Sequence, residues 1–242
     1  MENEVESLKL KYALQRALLY QCLHNLKSPL SASSGYIELT QVGLAKDADI
    51  TRLSKYSSKI EEGFAQVSES IALIQVIFDC NLSLDKNYEV EVDLNWLLSS
   101  ICSKAELFVK FKNQELKYVT ATGVGNLHIK SDLNLLRLLL YNLVANMSRY
   151  MVKGSGLKLS VTNELNTIKI SFTADSLERS TSEVLQIFMS DEFSNYNLQT
   201  KHKDEIYETP RARALKLLNA SLFVPQDSDI KNTIVLELQI TG

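Results

Sequence analysis

Residues 19–30, LYQCLHNLKSPL, place one histidine, His24, shortly before Pro29 within a helical pattern. A proline inside a helix costs about 3 kcal/mol, because it lacks an N–H donor and its ring crowds the carbonyl group four residues earlier. Here that carbonyl group belongs to Asn25, the residue after the histidine. An ionisable imidazole beside a weakened helical turn indicates a candidate site, and a plain surface histidine is the alternative.

Long helical patterns extend from this stretch. Apolar residues recur at helical spacing from about residue 5 to residue 40, which predicts one long helix with a bend at Pro29. Gly43 and the polar residues after it predict a turn. A second run then steps by three and four residues over four heptads: Ile50, Leu53, Ser57, Ile60, Phe64, Val67, Ile71, Ile74 and Phe78.

These two helices predict an antiparallel hairpin, and a hairpin alone has little against which to bury its apolar positions. A homodimeric four-helix bundle would bury them by knobs-into-holes packing. His24 lies outside the apolar positions of the first helix, which are Leu19, Leu23, Leu26 and Leu30. We therefore expect His24 to face solvent on the flank of the bundle.

The pattern changes after Cys80, where the polar segment 81–87 predicts a linker. Helices are predicted at 93–111, from Asp132 through Val144, around 183–189 and from Pro210, and strands at 115–121, 127–130, 157–161, 167–172 and 234–240. Segment 191–207 is charged and weakly patterned. The predicted fold class is α+β, with a helical hairpin over residues 1–80 and a unit of mixed sheet and helices over residues 88–242.

Composition excludes several classes of protein. The net charge of −3 shows no basic excess that would indicate nucleic-acid binding. No window approaches the roughly 18 consecutive apolar residues of a membrane span, and the acidic N-terminus is unlike a secretory signal or a transit peptide. We therefore expect a cytoplasmic protein without a membrane segment.

The cysteines and histidines do not have the spacing of a metal site. Cys22, Cys80 and Cys102 lie far apart, so we expect free, buried or half-buried thiols. Four further residues are expected to be structural or solvated, namely His128, His202, Arg211 and Arg213.

The string HNLKSPL at 24–30, followed by GYIEL at 35–39, resembles the phosphoacceptor box of the sensor histidine kinases. Segment 131–138, SDLNLLRL, continues the resemblance, and segment 141–150, YNLVANMSRY, is similar to the asparagine box of the family's ATP-binding domain. The resemblance covers nearly the whole chain. It implies a dimeric hairpin followed by an α/β two-layer sandwich of the histidine-kinase ATPase type.

Carried over by position, the resemblance assigns roles to six residues. His24 would be phosphorylated, and Ser28 would orient the phosphoryl group or a hydrolytic water. Asn25 stands where the family often has a general base. Asn146 would hold Mg²⁺, Arg149 would lie near the nucleotide phosphates, and Asp175 would read the adenine.

Three departures from the family pattern concern the use of ATP. Segment 174–179, ADSLER, keeps Asp175 and lacks both glycines of the family's next box. No glycine occurs from Leu157 to Thr241, so no glycine-rich loop there can bring backbone N–H groups close to phosphates. Asn25 is an amide and cannot accept a proton as a general base does.

These observations favour a histidine phosphotransferase with a degenerate ATP site. In this interpretation the protein carries a phosphoryl group on His24, exchanges it with response-regulator receiver domains, acts as a homodimer and needs no cofactor. One alternative is an ATP-dependent sensor histidine kinase with an unusual lid, which would need ATP and Mg²⁺. The other is a non-catalytic adaptor or inhibitor of a kinase or a regulator.

Overall fold

The computed structural model describes residues 2–46, 49–79, 89–111, 113–119, 127–164, 166–190, 210–226 and 231–240. The predicted linker at 81–87, the weakly patterned segment at 191–207, Cys80 and His202 lie outside these residues.

Two long helices form the predicted hairpin. Helix α1 spans Glu2–Ala45 and contains Pro29, and helix α2 spans Ile50–Asp79. Asp49 begins α2, because its carboxylate accepts a hydrogen bond from the Thr51 backbone N–H at 3.2 Å. The helical prediction for both segments is thus confirmed, and α1 begins earlier and ends later than its apolar pattern indicated.

The two helices meet through small and polar residues. Among the described side chains of α1, Cys22, Pro29 and Ser33 are buried. In α2, Gly63 faces α1 so closely that an added Cβ would lie 2.0 Å from Ser33 Oγ and 3.1 Å from the Pro29 carbonyl oxygen. Glycine at this position therefore lets the two helices approach closely without displacing the Ser33 hydroxyl group.

The predicted apolar positions of the hairpin are only partly covered in the single chain. Leu23 and Leu30 are 59% and 48% exposed in the single chain, and Leu19 and Leu26 are half-buried. In α2, Leu53, Ile60, Val67 and Ile74 are half-buried, whereas Ile50, Phe64 and Ile71 are exposed. The single chain thus covers one part of the predicted apolar face and leaves another part exposed.

The remainder of the chain is a mixed α/β unit. Its helices are α3 (Leu94–Phe111), α4 (Leu133–Tyr150), α5 (Thr181–Met189) and α6 (Pro210–Leu217). Its strands are β1 (Glu89–Asp93), β2 (Glu115–Val119), β3 (His128–Asp132), β4 (Gly156–Glu164), β5 (Thr167–Ala174), β6 (Ala220–Phe223) and β7 (Thr233–Gln239).

Five of these strands form one sheet in the order β2-β4-β5-β7-β6, and β1 pairs with β3 in a separate two-stranded sheet. Strand β2 runs parallel to β4, and the other neighbours are antiparallel. The predicted hairpin of β4 and β5 is confirmed, with Leu159 opposite Phe172. Strands β1 and β6 were not predicted: β1 lies between the predicted linker and the predicted helix at 93–111, and its alternation covers only Val90 and Val92, while β6 has only four residues.

Alternating residues of the sheet pack against α3 and α4. Strand β5 buries Ile168, Ile170 and Phe172, and most of α4 is buried. Aspartates begin both helices: Asp93 accepts from Asn95 N at 2.9 Å, and Asp132 accepts from Leu135 N at 3.0 Å. The predicted cap at Asp132 is therefore confirmed.

The hairpin packs directly on this unit. Helix α2 contacts α3 and α4, and α1 contacts α6. Cys22 and Ala72 of the hairpin belong to the same hydrophobic cluster as the sheet and α4. Among the described residues, no helix is both long enough and apolar enough to span a membrane.

Candidate functional site

His24 lies on the exposed side of α1, as expected. Cys22, two residues earlier, is 1% exposed. Successive residues of a helix are turned by about 100°, so these two side chains leave α1 on nearly opposite sides. The imidazole is thus accessible to a partner, while the back of the same helical turn is packed against protein.

The two residues assigned beside His24 differ in position. Ser28 is exposed and follows His24 by four residues, so the two side chains share one face of α1. Asn25 is half-buried and lies about 100° around the helix from His24. The hydroxyl group of Ser28 therefore lies on the surface that a partner of His24 would cover.

Asn146 connects two helices. Its Nδ2 donates a hydrogen bond to the carbonyl oxygen of Val184 in α5 at 3.3 Å, and Val184 is fully buried. Ser180 begins α5 with a reciprocal capping box, in which the Glu183 carboxylate accepts from Ser180 and thereby lowers the pKa of Glu183. A well-formed helix thus lies against the residue that the resemblance assigned to Mg²⁺.

Asp175 holds the end of a strand pair. Its Oδ2 accepts a hydrogen bond from Gly156 N at 2.8 Å, and its own N–H donates to Gly156 O at 2.9 Å. Asn232 Nδ2 donates to the Asp175 carbonyl oxygen at 3.4 Å. These bonds give Asp175 a structural role at the junction of β4, β5 and the turn before β7.

Arg149 points to the hairpin. Its Nη2 lies 3.3 Å from Oε1 of Glu69 in α2, and the Glu69 side chain is only 3% exposed. Burial, helped by the nearby Glu69 carboxylate and opposed by the charges of Arg149 and Arg211, raises the pKa of the Cys22 thiol to about 12. Residues of α1, α2, α4 and α6 thus meet at one place.

The expectation that Arg211 is solvated was wrong. Arg211 is 5% exposed, its Nη1 donates to the Phe188 carbonyl oxygen at 2.7 Å, and its guanidinium carbon lies 4.9 Å from the centre of the Phe188 ring. The first turn of α6 is enclosed by neighbouring helices, so the arginine binds the end of α5 instead of water. The Arg213 side chain lies outside the described residues.

Sequence reasoning missed two buried polar residues. Glu69 lies between apolar positions of α2 and resembles any exposed helix charge in the sequence. Gln114 follows α3 and donates to the carbonyl oxygens of Ser148 and Met151 at 3.1 and 3.2 Å, which closes the end of α4. Neither residue carries a local signal, because its partner is distant in the chain.

His128 lies with Nδ1 3.6 Å from a carboxylate oxygen of Glu91 on the neighbouring strand, consistent with a structural position. Cys22 and Cys102 are free and buried, as expected. Within the described ranges, no group of three or more histidine, cysteine or acidic side chains is arranged to hold a metal ion.

No protein-family model matches the sequence, and no curated protein matches it significantly. Solved structures do match. The histidine kinase ThkA, solved in complex with the response regulator protein TrrA, aligns with a TM-score of 0.55 and 15% identity over 99% of this chain and 66% of that chain.

Two further structures align at TM-scores below one half. A bacterial phosphotransferase aligns with a TM-score of 0.49 and 13% identity, over 93% of this chain and 95% of its own. The Acinetobacter baumannii histidine kinase AdeS aligns with a TM-score of 0.45 and 11% identity, over 90% of this chain and 98% of its own. The alignment with ThkA spans both the hairpin and the α/β unit, and it shows that this chain has the fold of the histidine kinases.

Proposed function

We propose that this chain is a two-component signalling protein that carries a phosphoryl group on His24 and exchanges it with response-regulator aspartates. In the forward step, an imidazole nitrogen of His24 attacks the phosphorus of an aspartyl phosphate. The N–P bond forms as the P–O bond to the aspartate breaks, and the carboxylate leaves. The reverse step delivers the phosphoryl group to a second receiver domain.

The exposure of His24 on the hairpin carries this proposal. A receiver domain must bring its own aspartate in line with the imidazole, which requires a histidine on the solvent-exposed surface. Ser28 lies on the same exposed face. ThkA was solved with a response regulator protein bound, and a partner of that kind would fit this surface.

We further propose that ATP is not the phosphoryl donor. The three residues assigned to the nucleotide are engaged by protein groups: Asn146 by Val184, Arg149 by Glu69 and Asp175 by Gly156. The sequence offers no glycine after Gly156 until the final residue, so close approach of backbone N–H groups to phosphates is disfavoured. Phosphoryl transfer from ATP depends on such positioning and charge neutralisation.

A homodimeric four-helix bundle is the third part of the proposal. Exposed apolar side chains recur at every seventh residue at Leu23, Leu30, Ile37 and Leu44 of α1. In α2 the same spacing holds at Ile50, Phe64 and Ile71, with the polar Ser57 between the first two. A strict seven-residue repeat is the pattern of a helix that packs in a left-handed bundle. Covering each such side chain would contribute roughly 1.5–3 kcal/mol, so a second hairpin is the expected occupant of this face.

One experiment separates the candidate functions. Purified protein is incubated with labelled ATP and Mg²⁺, and separately with a panel of receiver domains charged with labelled acetyl phosphate. We expect labelling of the wild type by at least one receiver domain, none by ATP, and none of His24→Ala. His128→Ala is the matched control, because it removes an exposed histidine of the α/β unit, and it should be labelled like the wild type.

Labelling from ATP would show an ATP-dependent kinase and overturn the proposal. Failure of every receiver domain and of ATP to label the protein would favour an adaptor or inhibitor.

The dimer has its own test. We expect wild-type protein to sediment as a dimer and Ile37→Asp to sediment as a monomer, because a carboxylate would be buried in the interface. Lys55→Asp places the same residue on the outer face of α2 and should leave the dimer intact. A monomeric wild type would contradict the bundle.

A further inference from the structure

The contact between Glu69 and Arg149 connects the hairpin to the α/β unit through charge. Glu69 belongs to α2 and Arg149 to the last turn of α4, eighty positions apart in the chain. The Glu69 side chain is almost completely buried, whereas that of Arg149 is about one third exposed. Within the part of the chain that the structure describes, Arg149 supplies the ion pair of this buried carboxylate.

The contact lies behind the proposed phosphoacceptor. Cys22 is close enough to Glu69, Arg149 and Arg211 for their charges to affect its thiol. Because Cys22 and His24 leave α1 on nearly opposite sides, the turn that presents His24 to solvent is backed by this cluster.

A buried ion pair specifies an arrangement more than it adds stability. Two charges removed from water recover their desolvation cost only when the partners meet in the correct geometry. Any rotation of the α/β unit that separates Arg149 from Glu69 leaves a carboxylate unpaired in a mostly apolar contact. The pair therefore favours one orientation of the unit on the hairpin.

We propose that Glu69 and Arg149 are positioning residues that hold the α/β unit in one orientation behind His24, so that an incoming receiver domain meets a surface already formed. This inference rests on the proposed function and adds to it. A domain that delivers a nucleotide to His24 has to move toward the histidine and then leave room for a receiver domain. A unit fixed by this pair acts instead as a static support for the phosphoacceptor turn.

The test uses Glu69→Gln, Arg149→Gln and the conservative variant Arg149→Lys in the full chain. Arg179→Gln is the matched control, because the exposed Arg179 lies over the Tyr150 ring, 5.4 Å from its centre, and takes no part in the ion pair. Spin labels at introduced cysteines replacing Lys55 and Lys158, both exposed, report the distance between hairpin and sheet. Cys80 is replaced by serine, and labelled chains are diluted with unlabelled ones.

We expect one narrow distance distribution in the wild type, in Arg149→Lys and in Arg179→Gln. Glu69→Gln and Arg149→Gln should broaden it, since each removes one charge of the pair. An unchanged distribution in both Gln variants would overturn the proposal.

Transfer kinetics provide the second readout. If loosening lowers the fraction of chains in the held orientation to about one tenth, the receiver concentration at half-maximal rate rises about tenfold, while the limiting rate is kept. A loss of limiting rate alone would contradict a positioning role. If no receiver domain labels even wild-type His24, the proposed function fails, and the distance measurement still decides whether the pair holds the α/β unit.

Discussion

Gly63 offers a direct test of how the hairpin packs. Replacement by alanine would place a Cβ 2.0 Å from Ser33 Oγ and 3.1 Å from the Pro29 carbonyl oxygen, so the hydroxyl group must move and the backbone contact tightens. Overpacking of this kind costs typically about 1–3 kcal/mol. Alanine in place of glycine inside a helix gains about 1 kcal/mol. The expected net loss in the free energy of unfolding is therefore about 0–2 kcal/mol.

In a Ser33→Ala background, the effect of Gly63→Ala on the free energy of unfolding should change from a loss to no change or a gain. Ser33 Oγ is buried and finds no hydrogen-bond partner among the described residues, so its removal alone should stabilise the protein by about 1 kcal/mol. Without Oγ, the Cβ added by Gly63→Ala makes an ordinary contact with the Cβ of residue 33 at 3.4 Å and the tighter one with Pro29. The helix-propensity gain should then dominate, and Gly63→Ala should be neutral or stabilising.

The assay is urea unfolding followed by far-ultraviolet circular dichroism, at one fixed chain concentration because association would shift the transition. The double-mutant cycle of Gly63 and Ser33 should show a coupling of more than about 1 kcal/mol. Equal costs of Gly63→Ala in the two backgrounds would refute the close approach of α1 and α2 at this point.

Three further predictions concern buried polar groups. Arg149→Gln should destabilise the protein by about 3 kcal/mol in urea unfolding, since it leaves buried Glu69 unpaired. Glu69→Gln should cost only about 1 kcal/mol, because Arg149 is 36% exposed and can be hydrated. Equal costs of the two substitutions would contradict this asymmetry. Burial raises the pKa of Cys22 to about 12 and that of Cys102 to about 11. The thiols of the unfolded chain ionise at lower pH than those of the folded chain, so the free energy of unfolding should fall as pH rises from about 9 to 11, by roughly 1 kcal/mol per pH unit for each thiol. In a Cys22→Ala, Cys102→Ala variant, the free energy of unfolding should lack this decrease over the same pH range. Gln114→Leu removes two hydrogen bonds to carbonyl oxygens at the end of α4 and the one that Ser148 Oγ donates, and it should lower the free energy of unfolding by about 2 kcal/mol. An unchanged free energy of unfolding would contradict this prediction.

Local patterns predicted the elements well where the signal lies within a few residues. The helical hairpin, the Asp132 cap and the pairing of β4 with β5 follow from periodicity, capping chemistry and alternation. The exposure of His24 also follows, because its position relative to the apolar residues of α1 depends only on helix geometry.

The faces used by the hairpin could not be predicted in the same way. Helix α2 has apolar residues at seven-residue spacing, Ile50, Phe64 and Ile71, interrupted by Ser57, and a face with Gly63 that meets α1. Periodicity identifies the first face and does not say whether the partner is the other helix of the same chain. That choice depends on the fit of Gly63 against Ser33, which only the assembled helices display.

The sequence by itself determined a helical hairpin that presents His24 and an α/β unit of the histidine-kinase type, because helix periods, caps and motif spacing are properties of neighbouring residues. Only the tertiary structure decided that Glu69 is buried, that it pairs with Arg149, and that Arg211 binds the end of α5. The physical reason is distance along the chain, because local sequence indicates the partner of a charged residue only when the two are close in sequence. Here Arg149 lies eighty positions from Glu69, and Arg211 lies twenty-three positions from Phe188. The tertiary contacts thus place the helical turn that carries His24 beside a buried, charged contact that no local pattern predicts.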